Sequence, residues 1–172
     1  GLGASYLAPS HGLGEHAKAL RFAKFAPDGA IVSDEVLDAD VCTCCQTSSG
    51  LTEDGPIVAY RGHESGEIRD ISIVRRVNGT WTAPAPVHRD GWKIGGCPTN
   101  GPAVAARGRE VAVAWFTAAG NQARVKIAFS SDAGATFTAP IVVDDGTPVG
   151  WPDVLLLEDG RALVTWLEKT AD

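Results

Sequence analysis

The chain's four cysteines are Cys42, Cys44, Cys45 and Cys97, and the first three crowd into one short stretch. Sulfurs spaced this closely lend themselves to two kinds of chemistry. In an oxidising compartment they close disulfides, most simply between Cys97 and one member of the cluster. As thiolates they select soft ions such as Cu(I) or Zn(II), with His63, His88 or Asp90 as candidates for further ligands. A third reading is plain buried thiols in a reducing compartment.

A second set of residues could bind a ligand. The stretch His88-Arg89-Asp90-Gly91-Trp92-Lys93 supplies His88, Asp90 and Trp92 as candidate ligand-binding residues. Trp92 reads either as a platform for a sugar ring or as a core residue. Asn100 follows Cys97 closely, and Trp151 and Asp153 hold the position equivalent to Trp92 one repeat later. His11 and His16 lie in a glycine-rich N-terminal stretch and are expected to be solvated.

The elements that must position these residues are repeated. Apolar runs ending in an aromatic recur as Pro56-Ile57-Val58-Ala59-Tyr60, Val111-Ala112-Val113-Ala114-Trp115 and Ala162-Leu163-Val164-Thr165-Trp166, each preceded by a turn pair, Asp54-Gly55, Arg107-Gly108 or Asp159-Gly160. Thr80-Trp81-Thr82-Ala83-Pro84 likewise returns as Thr136-Phe137-Thr138-Ala139-Pro140. A period of roughly fifty residues marks a propeller blade or a similar module. The expected fold is therefore all-β: a β-propeller of four-stranded antiparallel blades, with about three blade-equivalents in the chain, half of a six-bladed ring. The expected boundaries are a half-blade over 17–40, blades over 41–90 and 97–146, and a half-blade over 150–169. The best helical candidate is Glu15 to Phe25, but Ala19 to Phe25 within it also alternates apolar and polar residues and leads into Pro27-Asp28-Gly29, so it reads as part of a hairpin. If the cysteine cluster lies on an innermost strand, alternation sends Cys42 and Cys44 to one face and Cys45 to the other. Cys97 then precedes the innermost strand of the next blade.

Unpaired strand edges at both ends of such a stack require closure. Two arrangements supply it: a homodimer closing a two-fold six-bladed ring, or a longer chain of which this is half. The composition, 44% hydrophobic and 21% charged with a net charge of -6, fits a globular domain. It shows no basic run for nucleic acid and no apolar stretch approaching the roughly twenty residues of a membrane span. Gly1-Leu2-Gly3-Ala4-Ser5 has no signal-peptide character, so an exported protein, periplasmic or secreted, would have lost its leader.

Ser130-Ser131-Asp132-Ala133-Gly134-Ala135-Thr136-Phe137 resembles the Asp-box, Ser-x-Asp-x-Gly-x-Thr-Trp, with Phe137 in the Trp place. Ser130, Asp132, Gly134, Thr136 and Phe137 are its structural residues, and Arg76-Val77-Asn78-Gly79-Thr80-Trp81 keeps its second half. The chain as a whole resembles the BNR/Asp-box repeat proteins, the sialidase- and neuraminidase-like propellers. That resemblance implies a carbohydrate ligand and exo-sialidase-like glycoside hydrolysis, in which arginines hold the substrate carboxylate, a Glu-activated Tyr is the nucleophile and an Asp is the acid/base. On this chain the resemblance implies Arg61 and Arg69 as the carboxylate clamp and Asp70 or Glu67 as the acid/base. No Arg-Ile-Pro segment is present, and Tyr60 sits within an apolar strand as a core residue would. The alternative is a non-catalytic propeller that binds a ligand or metal through the cysteine cluster.

Overall fold

The computed structural model of the chain describes residues 2–10, 12 and 17–170; His11 and His16 lie outside the described residues. Among these, the regular structure is strand throughout except for one 3-10 turn at Ala119–Asn121. The strands form several antiparallel sheets, none of them closed. The first sheet has the order β1 (Leu2–Pro9), β2 (Lys18–Phe25), β3 (Ile31–Val41). The second joins β4 (Ser48–Leu51), β5 (Pro56–Arg61) and β6 (Ile71–Val77), with the short strands β7 (Thr80–Trp81) and β8 (Ala85–Pro86) both on the outer edge of β6. The third is a meander of β9 (Ala103–Arg107), β10 (Glu110–Thr117), β11 (Arg124–Ser130) and β12 (Ile141–Val142). A two-stranded sheet of β13 (Pro148–Leu156) and β14 (Ala162–Glu168) completes the set.

The aromatic-ended runs are the strands that hold the stack together. In β5 and β10 nearly every position is apolar because both faces are covered, and successive side chains point to opposite faces. In β5, Val58 and Tyr60 cluster with Leu20, Phe22 and Val41 of the first sheet. Ile57 and Ala59 cluster with Val111, Val113 and Trp115 of the third. In β10 the alternate residues Ala112 and Ala114 pack with Val154 of the last sheet. Three apolar layers thus alternate with four sheets.

One difference from the sequence expectation concerns the ends. The hairpin expected over Ala19 to Val36 is present as β2 and β3, but β1 pairs along the whole of β2, from Leu2↔Phe25 to Pro9↔Lys18. β1 is a further aromatic-bearing strand, Ala4-Ser5-Tyr6-Leu7, and its glycine and serine content disguised it. The end sheets therefore hold three and two strands. The first of them thus carries one strand more than the half-blade expected over 17–40.

The hairpin turns follow local chemistry. Asn78 and Gly79, joining β6 to β7, have φ of 51° and 81°, the doubly positive pair of a type I′ turn that suits the strand twist. The turn after β11 is held by two side chains. Ser130 Oγ accepts from Gly134 N at 2.9 Å and lies 2.7 Å from Asp132 Oδ1. Asp132 accepts from Thr136 N at 2.9 Å and Thr136 Oγ1 at 2.7 Å. Gly134 has a φ of 82° and abuts Ile57 and Arg75 of the second sheet, while Phe137 packs on the apolar layer between the second and third sheets.

The hydrogen bonds from Thr136 N–H, Thr136 O–H and Ser130 hold the Asp132 carboxyl below the usual carboxylate range. A carboxylate depressed on folding contributes stability that is present above its unfolded pKa and lost as pH falls through the folded one. Wild type should therefore be more heat-stable than Asp132→Ala at pH 7, and the gap should shrink once pH drops below about 4. Thermal melts of both proteins at the two pH values test this; a gap that does not change with pH would remove the carboxylate from the account.

Candidate functional site: a cysteine cluster between two connections

Two connecting segments run side by side at one end of the second sheet: residues 42–46, which lead from β3 to β4, and residues 97–101, which lead into β9. Gln46 and Gly101 join them, with Gly101 N donating to Gln46 Oε1 at 3.0 Å and Gln46 Nε2 donating to Gly101 O at 3.4 Å. A Cβ at Gly101 would sit 2.0 Å from Gln46 O, so only glycine allows this approach. Cys44 and Cys97 form a disulfide across the junction, with their Cα atoms 6.0 Å apart.

Cys42 and Cys45 are free and buried, and their sulfurs lie 3.4 Å apart. Cys42 Sγ is also 3.9 Å from Cys44 Sγ, and the sulfurs of Cys42, Cys44 and Cys45 all lie within 4.8 Å of one another. The strand alternation expected for the cluster is not what forms. After Val41 the chain leaves β3 and turns at Thr43 and Cys44, and a turn brings a residue close to the one three places on. Cys42 therefore meets Cys45, while Cys44 points across to Cys97. The run Cys42-Thr43-Cys44-Cys45 contains a Cys-x-x-Cys pair in its outer members, a signal present in the sequence but masked by the cysteine between them.

The Cys42 thiol is held down at about 5, first by the hydrogen bond from Cys45 and then by Arg69. Arg69 Nη1 lies 3.4 Å from Cys42 Sγ. Cys45 moves the opposite way, pushed up by Cys42 and by burial. The two shifts run in opposite senses across the 3.4 Å contact, with the Arg69 guanidinium favouring charge on Cys42. Behind Arg69 the polar contacts continue outward. Arg69 Nη2 donates to Glu67 Oε2 at 2.7 Å, Glu67 Oε1 lies 3.4 Å from His63 Nε2, and His63 Nδ1 lies 2.9 Å from Asp40 Oδ1. Hydrogen bonding to Asp40, and next to Glu67, raises the His63 pKa.

The residues expected to do carbohydrate chemistry are engaged by the backbone instead. Arg61 is fully buried. Its guanidinium donates to Asn100 O at 2.8 Å, Arg69 O at 2.6 Å and Phe116 O at 2.8 Å, and it stacks over Trp92 at 4.8 Å from the ring centre. Burial pushes its pKa down, yet a guanidinium stays charged in a protein. Asp70, also buried, accepts from Gly91 N at 2.8 Å and Trp92 N at 2.9 Å. Both groups terminate main-chain groups in the interior, where Arg61 is 2% and Asp70 4% exposed.

The ligand-binding candidates divide in the same way. Trp92 is buried and packs edge-on against Phe116, 5.6 Å between ring centres, so it is core and not a sugar platform. The Asp90 side chain is buried and accepts from Trp115 Nε1 at 2.7 Å and Lys126 Nζ at 2.6 Å. His88 lies beside it, with Nε2 3.7 Å from Asp90 Oδ1. Asn100 is buried and ties its connection to β13, accepting from Trp151 N at 2.6 Å and donating to Val149 O at 3.2 Å. Trp151 and Asp153 are exposed on β13. A cleft of about 690 Å³ between the first two sheets is lined by Gly3, Phe22, Gly50 and Pro56 and includes none of these residues.

The class defined by fold and site is an all-β protein of stacked antiparallel sheets with a cysteine cluster at the junction of two connections. No protein-family model matches the chain, and no curated protein matches it significantly. Among the described residues, no helix is long and apolar enough to cross a membrane.

Proposed function

We propose that this chain is a segment of an exported Asp-box propeller whose role centres on its sulfurs and is not glycoside hydrolysis, with Cu(I) held by Cys42 and Cys45. The observation that carries this reading is the all-sulfur cluster: Cys42, Cys44 and Cys45 within 4.8 Å of one another, with the free pair 3.4 Å apart. A donor set made only of sulfur selects a soft ion. Zinc prefers four ligands, whereas two thiolates suffice for Cu(I), and Cys44 and Cys97 are already bonded to each other. The nitrogen and oxygen candidates have other partners: His63 meets Asp40 and Glu67, and Asp90 meets Trp115 and Lys126. A disulfide at this position accords with an oxidising compartment.

The outer face of the last sheet supports the propeller reading. Leu163 and Leu167 of β14 are 55% and 56% exposed, whereas Ala112 and Phe116, which occupy the corresponding places in β10, are 0% and 9% exposed. A further sheet, from more chain or from a second copy, would cover that face as the last sheet covers the third.

Anaerobic titration with Cu(I) against a chromophoric chelator tests the metal reading. Wild type should withhold stoichiometric copper, and Cys42→Ser should weaken retention by about 100-fold or more. Equal retention by both proteins, or none by wild type, would remove copper from the function.

A further inference from the structure

The free pair and the disulfide stand in an arrangement that metal binding does not require. Cys42 Sγ is 3.4 Å from Cys45 Sγ on one side and 3.9 Å from Cys44 Sγ on the other, so one sulfur faces both a thiol and a disulfide. The Cys44–Cys97 bond runs from this interior to an exposed end. Cys97 is exposed, as are Gly95 and Gly96 before it, and neither glycine has a neighbour where a Cβ would be, so the Cys97 backbone has room to draw back. Thr43 Oγ1 lies 3.8 Å from Cys97 Sγ, placing a hydroxyl beside the sulfur that would leave. The Arg69 guanidinium lies against the sulfur that would attack.

We infer that the four cysteines form an internal thiol–disulfide exchange relay, in which the buried Cys42/Cys45 pair takes over the disulfide from Cys44 and Cys97 and presents Cys97 as a reactive surface thiol. In the first step the Cys42 thiolate attacks Cys44 Sγ. The Cys42–Cys44 bond forms as the Cys44–Cys97 bond breaks, and the electron pair leaves on Cys97, which takes a proton from solvent. In the second step Cys45 gives up its proton and attacks Cys42 Sγ. The Cys42–Cys45 bond forms, and the pair leaves on Cys44, which is protonated in turn. Cys42 and Cys45 are oxidised to a disulfide while Cys44 and Cys97 are reduced to thiols, so no outside oxidant enters the balance. The partner class for the freed surface thiol is a disulfide, on a small molecule or on another protein, which Cys97 would attack to form a mixed disulfide. The relay uses the sulfurs assigned above to copper but needs no metal. In the exchanged state Cys42 and Cys45 are no longer thiolate ligands, so exchange and copper binding exclude each other.

The test uses the full chain, never reduced and stripped of metal with a chelator, incubated natively with N-ethylmaleimide, quenched in acid and digested without reductant. Trypsin separates peptide 25–61, which carries the cluster, from peptide 94–107, which carries Cys97. In wild type, maleimide should accumulate on Cys97 while the disulfide is recovered inside peptide 25–61. Cys45→Ser should still release Cys97, because its exchange stops at the Cys42–Cys44 bond. Cys42→Ser should slow Cys97 labelling by about tenfold or more, since its attacking sulfur is gone. Circular dichroism checks that each variant is folded. The inference falls if wild-type peptides 25–61 and 94–107 stay linked after prolonged labelling, or if Cys42→Ser releases Cys97 as fast as Cys45→Ser. The wild-type arm decides alone should a variant fail to fold. Because no copper is present, failure here leaves the metal reading standing, and failure of the copper titration leaves this one standing.

Discussion

Arg61→Ala is expected to lower the unfolding free energy by about 3–5 kcal/mol. The substitution would strip the partner from three main-chain carbonyls, Asn100 O, Arg69 O and Phe116 O, in a place where the arginine itself is only 2% exposed. An orphaned buried acceptor costs about 1–3 kcal/mol, and the stacking surface of Trp92 is lost as well. Arg61→Lys should recover only a fraction, because an ammonium cannot reproduce a planar fork aimed at three separate carbonyls. Urea denaturation followed by tryptophan fluorescence measures the difference. A loss below about 1 kcal/mol would mean that water replaces the guanidinium without penalty, and Arg61 would then be free for a substrate after all. A carboxylate clamp predicts the opposite pattern, with stability intact and an activity lost.

Alignment of the repeats bears on the same residue. Tyr60-Arg61 stands where the other sheets have Tyr6-Leu7, Trp115-Phe116 and Trp166-Leu167. Three of the four copies thus carry a large apolar residue at the place of Arg61, and in the third sheet that residue, Phe116, is buried. An arginine in an interior column must satisfy its donors internally, a structural role already visible in the repeat register. What the register leaves out is the source of the acceptors, because residues 69, 100 and 116 come from three distant stretches of chain. Strands and turns were legible for a local reason: period-two alternation and Asn-Gly or Asp-Gly turn chemistry are fixed by neighbours in sequence. β1 escaped because Gly3 and Ser5 have poor strand propensity and its stability comes from pairing with β2, which is tertiary context. The cysteine pairing was only half legible. Nearness of Cys97 to the cluster was expected from the order of the repeats, but which sulfur meets which depends on the turn at Thr43 and Cys44.

Asp70→Ala carries the second large expectation, a loss of about 2–4 kcal/mol. Its carboxylate receives the main-chain N–H groups of Gly91 and Trp92, charge-assisted bonds to donors that alanine would leave unmet. The effect should not be independent of Arg61. Asp70 fixes the backbone of Trp92, the Trp92 ring lies against the Arg61 guanidinium, and Arg61 in turn donates to Asn100 O. Both residues thereby restrain the stretch of chain from Gly91 to Asn100, and Cys97 lies within it. A double-mutant cycle should show a coupling of about 1 kcal/mol or more between them, and Trp92 fluorescence should shift to the red in either single variant as the ring becomes hydrated. Full additivity would mean that the two residues support separate parts of the fold. Coupling would instead make them one clamp, whose position next to Cys97 explains how two connecting segments keep four sulfurs in register without a strand to carry them.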